Sequence, residues 1–110
     1  MHNEFDKKVE QLKELTCLGE AKSLQKRYDP SKNSIIFFIR QTRYFLIVRK
    51  DYRYSRSIKQ YKHGVTMDWY FKSKSRNSFK EIEFSEVLGS TWLSKKAKTE
   101  LVFNLDKFIK

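Results

Sequence analysis

Residues 34–54 of this chain read SIIFFIRQTRYFLIVRKDYRY, and this stretch decides the fold class. β-Branched and aromatic residues dominate it, which favours strands over helices. We predict one strand over residues 34–40, a turn at residues 41–43 and a second strand over residues 44–54. Two apolar runs joined by so short a polar connection are typical of an antiparallel pair.

Both predicted strands begin with apolar residues at successive positions. Consecutive side chains of a strand point to opposite faces of the sheet, so Phe37 and Phe38 cannot enter the same core. Either helices cover both faces, or a second copy of the chain covers one of them. We therefore expect a homodimer or tighter oligomer that buries part of residues 35–39 or 44–48.

The clearest strand pattern lies further along the chain, at residues 65–74, where apolar and polar side chains alternate. This alternation predicts that Trp69 is buried and that Tyr70 faces solvent. Residues 58–62 are predicted to form the hairpin partner of this strand, joined to it through a turn at residues 63–64.

Helices are predicted on both sides of the strands. Apolar residues from Phe5 to Leu15 recur at helical spacing, which predicts an amphipathic helix over residues 3–18 that stops or kinks at Gly19. A short second helix is predicted over residues 20–28.

The C-terminal part of the chain is also predicted to be helical. Residues 79–84 form either a last short strand or the approach to a helix, and residues 85–88 form a short turn. Ser94 is the predicted N-cap of a final helix. The whole order predicts a single α+β domain over residues 1–110, with an N-terminal helix, a central antiparallel sheet of about four to five strands and a C-terminal helix.

Composition excludes several classes of protein. One cysteine forbids an intrachain disulfide and removes any multi-cysteine zinc or iron–sulfur site, so no metal and no cofactor are expected. No apolar run approaches the roughly 20 residues that span a bilayer. The start, MHNEFDKKVEQL, carries acids and lacks the apolar core of a signal peptide. We expect a cytoplasmic protein without a membrane partner.

The positive charge is concentrated in the middle of the chain. Lys and Arg number 24 against 13 Asp and Glu, a formal net charge of +11. Residues 40–80 hold twelve of the bases and only two acids, Asp51 and Asp68. An AT-rich coding bias would raise the lysine content and give a merely solvated basic face, but it should neither cluster charge nor favour arginine. The clustering therefore favours a surface that binds a polyanion.

Bases and tyrosines interleave from residue 43 to residue 62, a composition suited to nucleic acid. Cationic side chains neutralise phosphates, and aromatic rings stack on unpaired bases. Along an extended strand the tyrosines and arginines fall on opposite faces, so a twisted strand end or a protruding hairpin would have to present both. We predict a small protein that binds the DNA or RNA backbone, including single strands, without catalysis. The candidate binding residues are Arg40, Arg43, Arg49, Lys50, Tyr52, Arg53, Tyr54, Arg56, Lys59 and Lys62.

Two alternatives remain open. The first is a small phage- or plasmid-type accessory or inhibitor protein that binds an acidic protein surface. The second is a metal-independent, toxin-like ribonuclease, which would use general acid–base chemistry and phosphate stabilisation. Its candidate residues are Arg53, Tyr54, Lys62, His63 and Asp68. In the main prediction, Asp68 instead pairs with a neighbouring Arg or Lys, and Cys17 is a small packing residue.

Overall fold

The computed structural model describes residues 4–28, 33–55, 60–74 and 78–109, and it describes the backbone alone at residues 4, 51–55, 60–64 and 105–109. The elements are α1 (Glu4–Lys13), β1 (Leu18–Glu20), α2 (Lys22–Tyr28), β2 (Ser34–Ile39), β3 (Tyr44–Ser55), β4 (Gln60–Lys72), β5 (Phe79–Ile82), α3 (Phe84–Leu88) and α4 (Lys95–Ile109). Across the described ranges the strands form one antiparallel sheet in the order β1-β2-β3-β4-β5. The predicted α+β class, with its N-terminal helix, antiparallel sheet and C-terminal helix, is confirmed.

The N-terminal helix ends earlier than the sequence predicted. α1 ends at Lys13, and Leu18–Glu20 forms the edge strand β1 instead of continuing the helix. Gly19 is therefore not a helix stop but a strand residue that pairs with Phe38. A Cβ atom at Gly19 would lie 2.8 Å from the Phe38 ring, so the glycine lets the ring cover the edge-strand backbone. Pairing with β2 decides the conformation here, because tertiary contacts override a weak local helix preference.

The hairpin formed by β3 and β4 is longer than predicted, and the predicted turn at residues 63–64 is wrong. β4 begins at Gln60 and continues without a break, so residues 63–64 lie inside a strand and do not form a turn. Gly64 pairs with Asp51 of β3, and the connection between the two strands falls at residues 56–59, outside the described residues. The reason is that the long β3 offers a backbone partner to every residue of β4 from Gln60 to Phe71.

The main core lies on one face of the sheet. Phe37, Leu46 and Trp69 occupy adjacent positions on three neighbouring strands, and all three are buried. Leu12 of α1 and Leu101 of α4 are part of the same buried cluster. The prediction that Trp69 is buried is therefore confirmed.

The opposite face is covered in part by α2. Ile36 points away from the main core, yet it is only 4% exposed, because α2 packs against β2. Tyr70, expected to face solvent, is half-buried instead, since its strand neighbour Phe45 and the ring of Phe79 cover the same face. Residues 35–39 and 44–48 are thus buried or half-buried within one chain. These segments no longer require a second copy, and a homodimer stays a prediction.

The predicted start of the last helix is confirmed. The Ser94 hydroxyl oxygen accepts a hydrogen bond from the Ala97 backbone N–H at 3.1 Å, which caps the first turn of α4. Leu93, directly before the cap, is buried in the main core. The cap therefore fixes where α4 begins, directly after the buried Leu93.

Candidate nucleic-acid interface

The β3–β4 hairpin extends beyond the rest of the described sheet. β2 begins at Ser34, which pairs with Arg49, and β5 pairs only with residues 69–72 of β4. Residues 50–55 and 60–65 therefore continue as a two-stranded arm, which we call the ribbon. Six residues of strand correspond to about 20 Å. The sheet thus presents a long, narrow projection at one end.

Four of the ten candidate binding residues lie along the ribbon beyond its base: Tyr52, Arg53, Tyr54 and Lys62. Arg53 lies directly opposite Lys62, Tyr52 opposite His63 and Tyr54 opposite Tyr61. Positions that face each other in an antiparallel pair share a face, and successive positions alternate. The Arg53–Lys62 pair therefore lies on one face of the ribbon, and the two pairs that contain tyrosine lie on the other.

The charge of the ribbon is unbalanced. The ribbon residues, 50–55 and 60–65, contain three bases and one acid, Asp51, a net charge of +2. Two like charges at directly facing positions of an antiparallel pair destabilise that pair. Arg53 and Lys62 occupy positions of this kind.

At the base of the ribbon, two further candidate residues have partners within the protein. Arg49 donates a hydrogen bond to the Asp68 carboxylate at 3.0 Å, so the predicted pairing of Asp68 with a base is confirmed. The Lys50 ammonium lies 5.1 Å from the centre of the Phe5 ring, a cation–π contact with α1. Both side chains remain partly or fully accessible. The Lys50 contact joins the base of the ribbon to α1, whereas the Arg49–Asp68 ion pair links β3 to β4.

Arg40 and Arg43 lie at the other end of β3. The Arg40 Nε–H donates to the Thr16 carbonyl oxygen at 3.1 Å, and its guanidinium lies 5.9 Å from the Phe38 ring centre. The Arg43 guanidinium lies 5.4 Å from the ring centre of Phe71. Ten residues of strand, about 33 Å, separate residue 43 from residue 53. The structure therefore divides the candidates into two groups rather than one patch.

Two of the nominated residues, Arg56 and Lys59, lie outside the described residues. In the sequence they fall between β3 and β4.

The five ribonuclease candidates do not converge on one face. Arg53 and Lys62 share one face of the ribbon, and Tyr54 and His63 occupy positions on the other. Asp68 lies six residues beyond Lys62, about 20 Å along β4, and its carboxylate is held by Arg49. General acid–base catalysis requires these groups to reach one phosphate at the same time.

Cys17 is half-buried and packs against the main core, as predicted. Burial, together with the nearby Glu100 carboxylate, raises the pKa of the Cys17 thiol to about 12. The thiol therefore stays protonated near neutral pH, and a protonated thiol is a poor nucleophile.

One exposed aromatic residue was not predicted from the sequence. Trp92, in the turn between α3 and α4, is 53% exposed, and its ring stacks on Phe71 at 5.8 Å between ring centres. Tyr44 lies against the same ring at 6.1 Å. The available signal was a tryptophan in a polar segment, GSTW at residues 89–92, which belongs to no apolar stripe.

No helix within the described residues is both long enough and apolar enough to cross a membrane. The same residues contain no group of three or more His, Cys, Asp or Glu side chains that could hold a metal ion. Comparison of the chain with protein-family models, with curated proteins and with solved structures finds no match.

Proposed function

We propose that this chain binds nucleic acid through its phosphate backbone and that the ribbon is the main contact. The observation that carries the proposal is the pair Arg53 and Lys62, at facing positions on a two-stranded arm that extends past the other described strands. Phosphate contacts supply most of the affinity of proteins that bind nucleic acid without sequence preference. A projecting arm with a net charge of +2 can follow such a backbone.

The shape of the ribbon also suits this partner. A two-stranded β-ribbon is narrow enough to enter the major groove of a duplex, which is about 12 Å wide. Its second face carries positions Tyr52, Tyr54 and Tyr61, and tyrosine contributes hydroxyl contacts to phosphates as well as rings for stacking. The twist of a two-stranded ribbon brings both faces within reach of one strand of nucleic acid. The basic residues and the tyrosines can therefore belong to one binding interface, although they occupy opposite faces of the ribbon.

We further infer a cytoplasmic protein that binds without catalysis. Two alternatives remain: an accessory protein that binds an acidic protein surface, and a metal-independent ribonuclease. The binding experiment below distinguishes both from the proposed function.

The test is the charge reversal Arg53→Glu, assayed with labelled single-stranded and duplex DNA and RNA at low salt. Binding is expected to weaken about tenfold or more, because one phosphate contact is replaced by a repulsion. The stability of the protein is expected to rise by about 0.2–1 kcal/mol, since a glutamate would face Lys62 and form an opposite-charge pair. A more stable protein that binds less tightly separates loss of contact from loss of fold.

The matched control compares two double variants of equal net charge. Arg53→Glu with Lys62→Glu reverses the ribbon, and Lys7→Glu with Lys95→Glu reverses two exposed lysines on α1 and α4. Only the ribbon variant should lose binding. Equal losses would show that bulk charge is responsible and contradict a located interface. No binding by the wild-type protein would favour an acidic protein partner, and shortened RNA in the same samples would favour the ribonuclease.

A further inference from the structure

The turn between α3 and α4 presents an aromatic ring in a fixed position. Phe71 lies almost parallel to Trp92, with 21° between the ring planes. Tyr44 supports both rings, at 5.3 Å from Phe71 and 6.1 Å from Trp92. The Trp92 backbone N–H donates to the Ser90 hydroxyl oxygen at 3.1 Å, which fixes the turn. Phe71 and Tyr44 therefore hold Trp92 in place, while about half of its surface is exposed to solvent.

Cationic side chains lie around this ring. Arg43 stands over Phe71, the ring on which Trp92 stacks. Arg40 and Lys96 line the same shallow cleft as Trp92, whose volume is about 290 Å³. The one acid of that cleft, Glu100, directs its carboxylate to Thr16 and Cys17. The surroundings of the exposed ring are thus positively charged.

An unpaired nucleobase is the ligand that these features fit together. A base offers a flat π-face to the open side of the indole, and its phosphates lie within reach of neighbouring cations. Bases in a duplex are stacked on each other and cannot reach a side chain in this way. An aromatic side chain whose position is already fixed loses little freedom when a base stacks on it, which favours binding.

We propose that Trp92 stacks an unpaired base of a single-stranded nucleic acid and that Arg40 and Arg43 contact the flanking phosphates. This inference rests on the proposed function, and it specifies the substrate as one with unpaired bases. It also gives Arg40 and Arg43 a role at the end of β3 opposite the ribbon. A strand that touches both ends must cover the length of β3, so the two contacts favour long single strands over short ones.

The experiment uses tryptophan fluorescence, because the chain has two tryptophans in different environments. Trp69 is 5% exposed and Trp92 is 53% exposed, so a stacked base should quench Trp92 alone. The probe is oligothymidine of about 20 nucleotides, longer than the roughly 4–16 nucleotides that small single-strand-binding folds cover. The wild-type emission should fall on binding, and the emission of Trp92→Phe should not change.

Affinity provides the second readout. Trp92→Leu keeps an apolar cover over Phe71 but removes the stacking surface, and it should weaken oligothymidine binding about tenfold. Trp92→Phe keeps a ring and should bind within about threefold of the wild type, a difference well under one stacking contact. Binding of a blunt duplex should not change in either variant. Thermal unfolding of each variant checks that the fold is retained.

The outcomes separate the two proposals. Oligothymidine binding that neither quenches the wild-type emission nor weakens in Trp92→Leu overturns the role of Trp92 and leaves the ribbon proposal standing. An equal loss for single strands and for the duplex also overturns it. Absence of binding to every nucleic acid overturns both proposals at once.

Discussion

The carboxylate of Glu100 joins α4 to the segment between α1 and β1. One oxygen accepts a hydrogen bond from the Thr16 hydroxyl at 2.8 Å, and the other accepts one from the Cys17 backbone N–H at 3.0 Å. Partial burial acts to raise the pKa of Glu100, but these hydrogen bonds outweigh it and hold the pKa below its ordinary value of 4.5. A single side chain thus links residues more than 80 positions apart in the sequence.

The lowered pKa makes this link dependent on pH. The unfolded chain takes up the proton first as the pH falls, so the stabilisation is complete above about 4.5 and is lost as the pH falls through the lower folded-state value. Glu100→Gln should therefore lower the free energy of unfolding by about 1 kcal/mol at pH 7. Urea unfolding of both proteins at pH 7 and pH 3 checks this, and a difference of the same size at both pH values would contradict it.

Helix α2 continues the edge of the sheet along β2, where the short strand β1 has ended. Beyond the end of β1, the Gln25 side chain takes the place of a strand. Its amide nitrogen donates to the Ser34 carbonyl oxygen at 2.6 Å, and its amide oxygen accepts from the Ile36 backbone N–H at 2.9 Å. One side chain therefore fixes α2 against β2 on the face opposite the main core.

Replacing this residue should detach α2 from the sheet. Gln25→Ala removes both hydrogen bonds from a largely buried part of β2 and should cost about 1–3 kcal/mol. Gln25→Glu keeps one acceptor for the Ile36 N–H, but places a second carboxylate oxygen near the Ser34 carbonyl, so it should not restore stability. Urea unfolding measures both changes. A variant Gln25→Ala as stable as the wild type would show that packing alone holds α2.

Nearly all of the net positive charge of the molecule comes from one segment of the chain. The molecule measures 46 Å along its longest axis and 23 Å along its shortest. Residues 1–39 have a net charge of +1 and residues 81–110 are neutral. Residues 40–80 therefore supply nearly all of the net positive charge. Five of the twelve bases in this segment lie within β3 and β4.

This distribution predicts a steep dependence of binding on salt. If roughly four to six duplex phosphates are neutralised, a plot of log K against log salt should have a slope of about −3.5 to −5.5. The double reversal of Arg53 and Lys62 should make that slope shallower by about 2, one for each lost contact. A titration from low to physiological salt measures it. An unchanged slope in the ribbon variant would place the phosphate contacts elsewhere.

Features that depend on neighbouring residues could be predicted from the sequence. The apolar runs of β2 and β3, the burial of Trp69 and the cap at Ser94 follow from local periodicity and from the hydrogen-bonding capacity of one side chain. The concentration of charge in residues 40–80 is likewise a property of the sequence alone. These features were sufficient for the α+β class and for the set of candidate binding residues.

The arrangement of those residues in space depends on tertiary contacts and could not be predicted from local patterns. β1 has three residues and no strand pattern of its own, and it exists because β2 offers it backbone partners and Phe38 covers its glycine. The ribbon arises because β2 and β5 end before β3 and β4 do, which no local pattern records. Trp92 becomes an open ring only when Phe71, 21 positions earlier in the chain, lies beneath it. These features depend on contacts between residues that are distant in sequence. Such contacts form only when the whole chain has folded, so no local pattern predicts them.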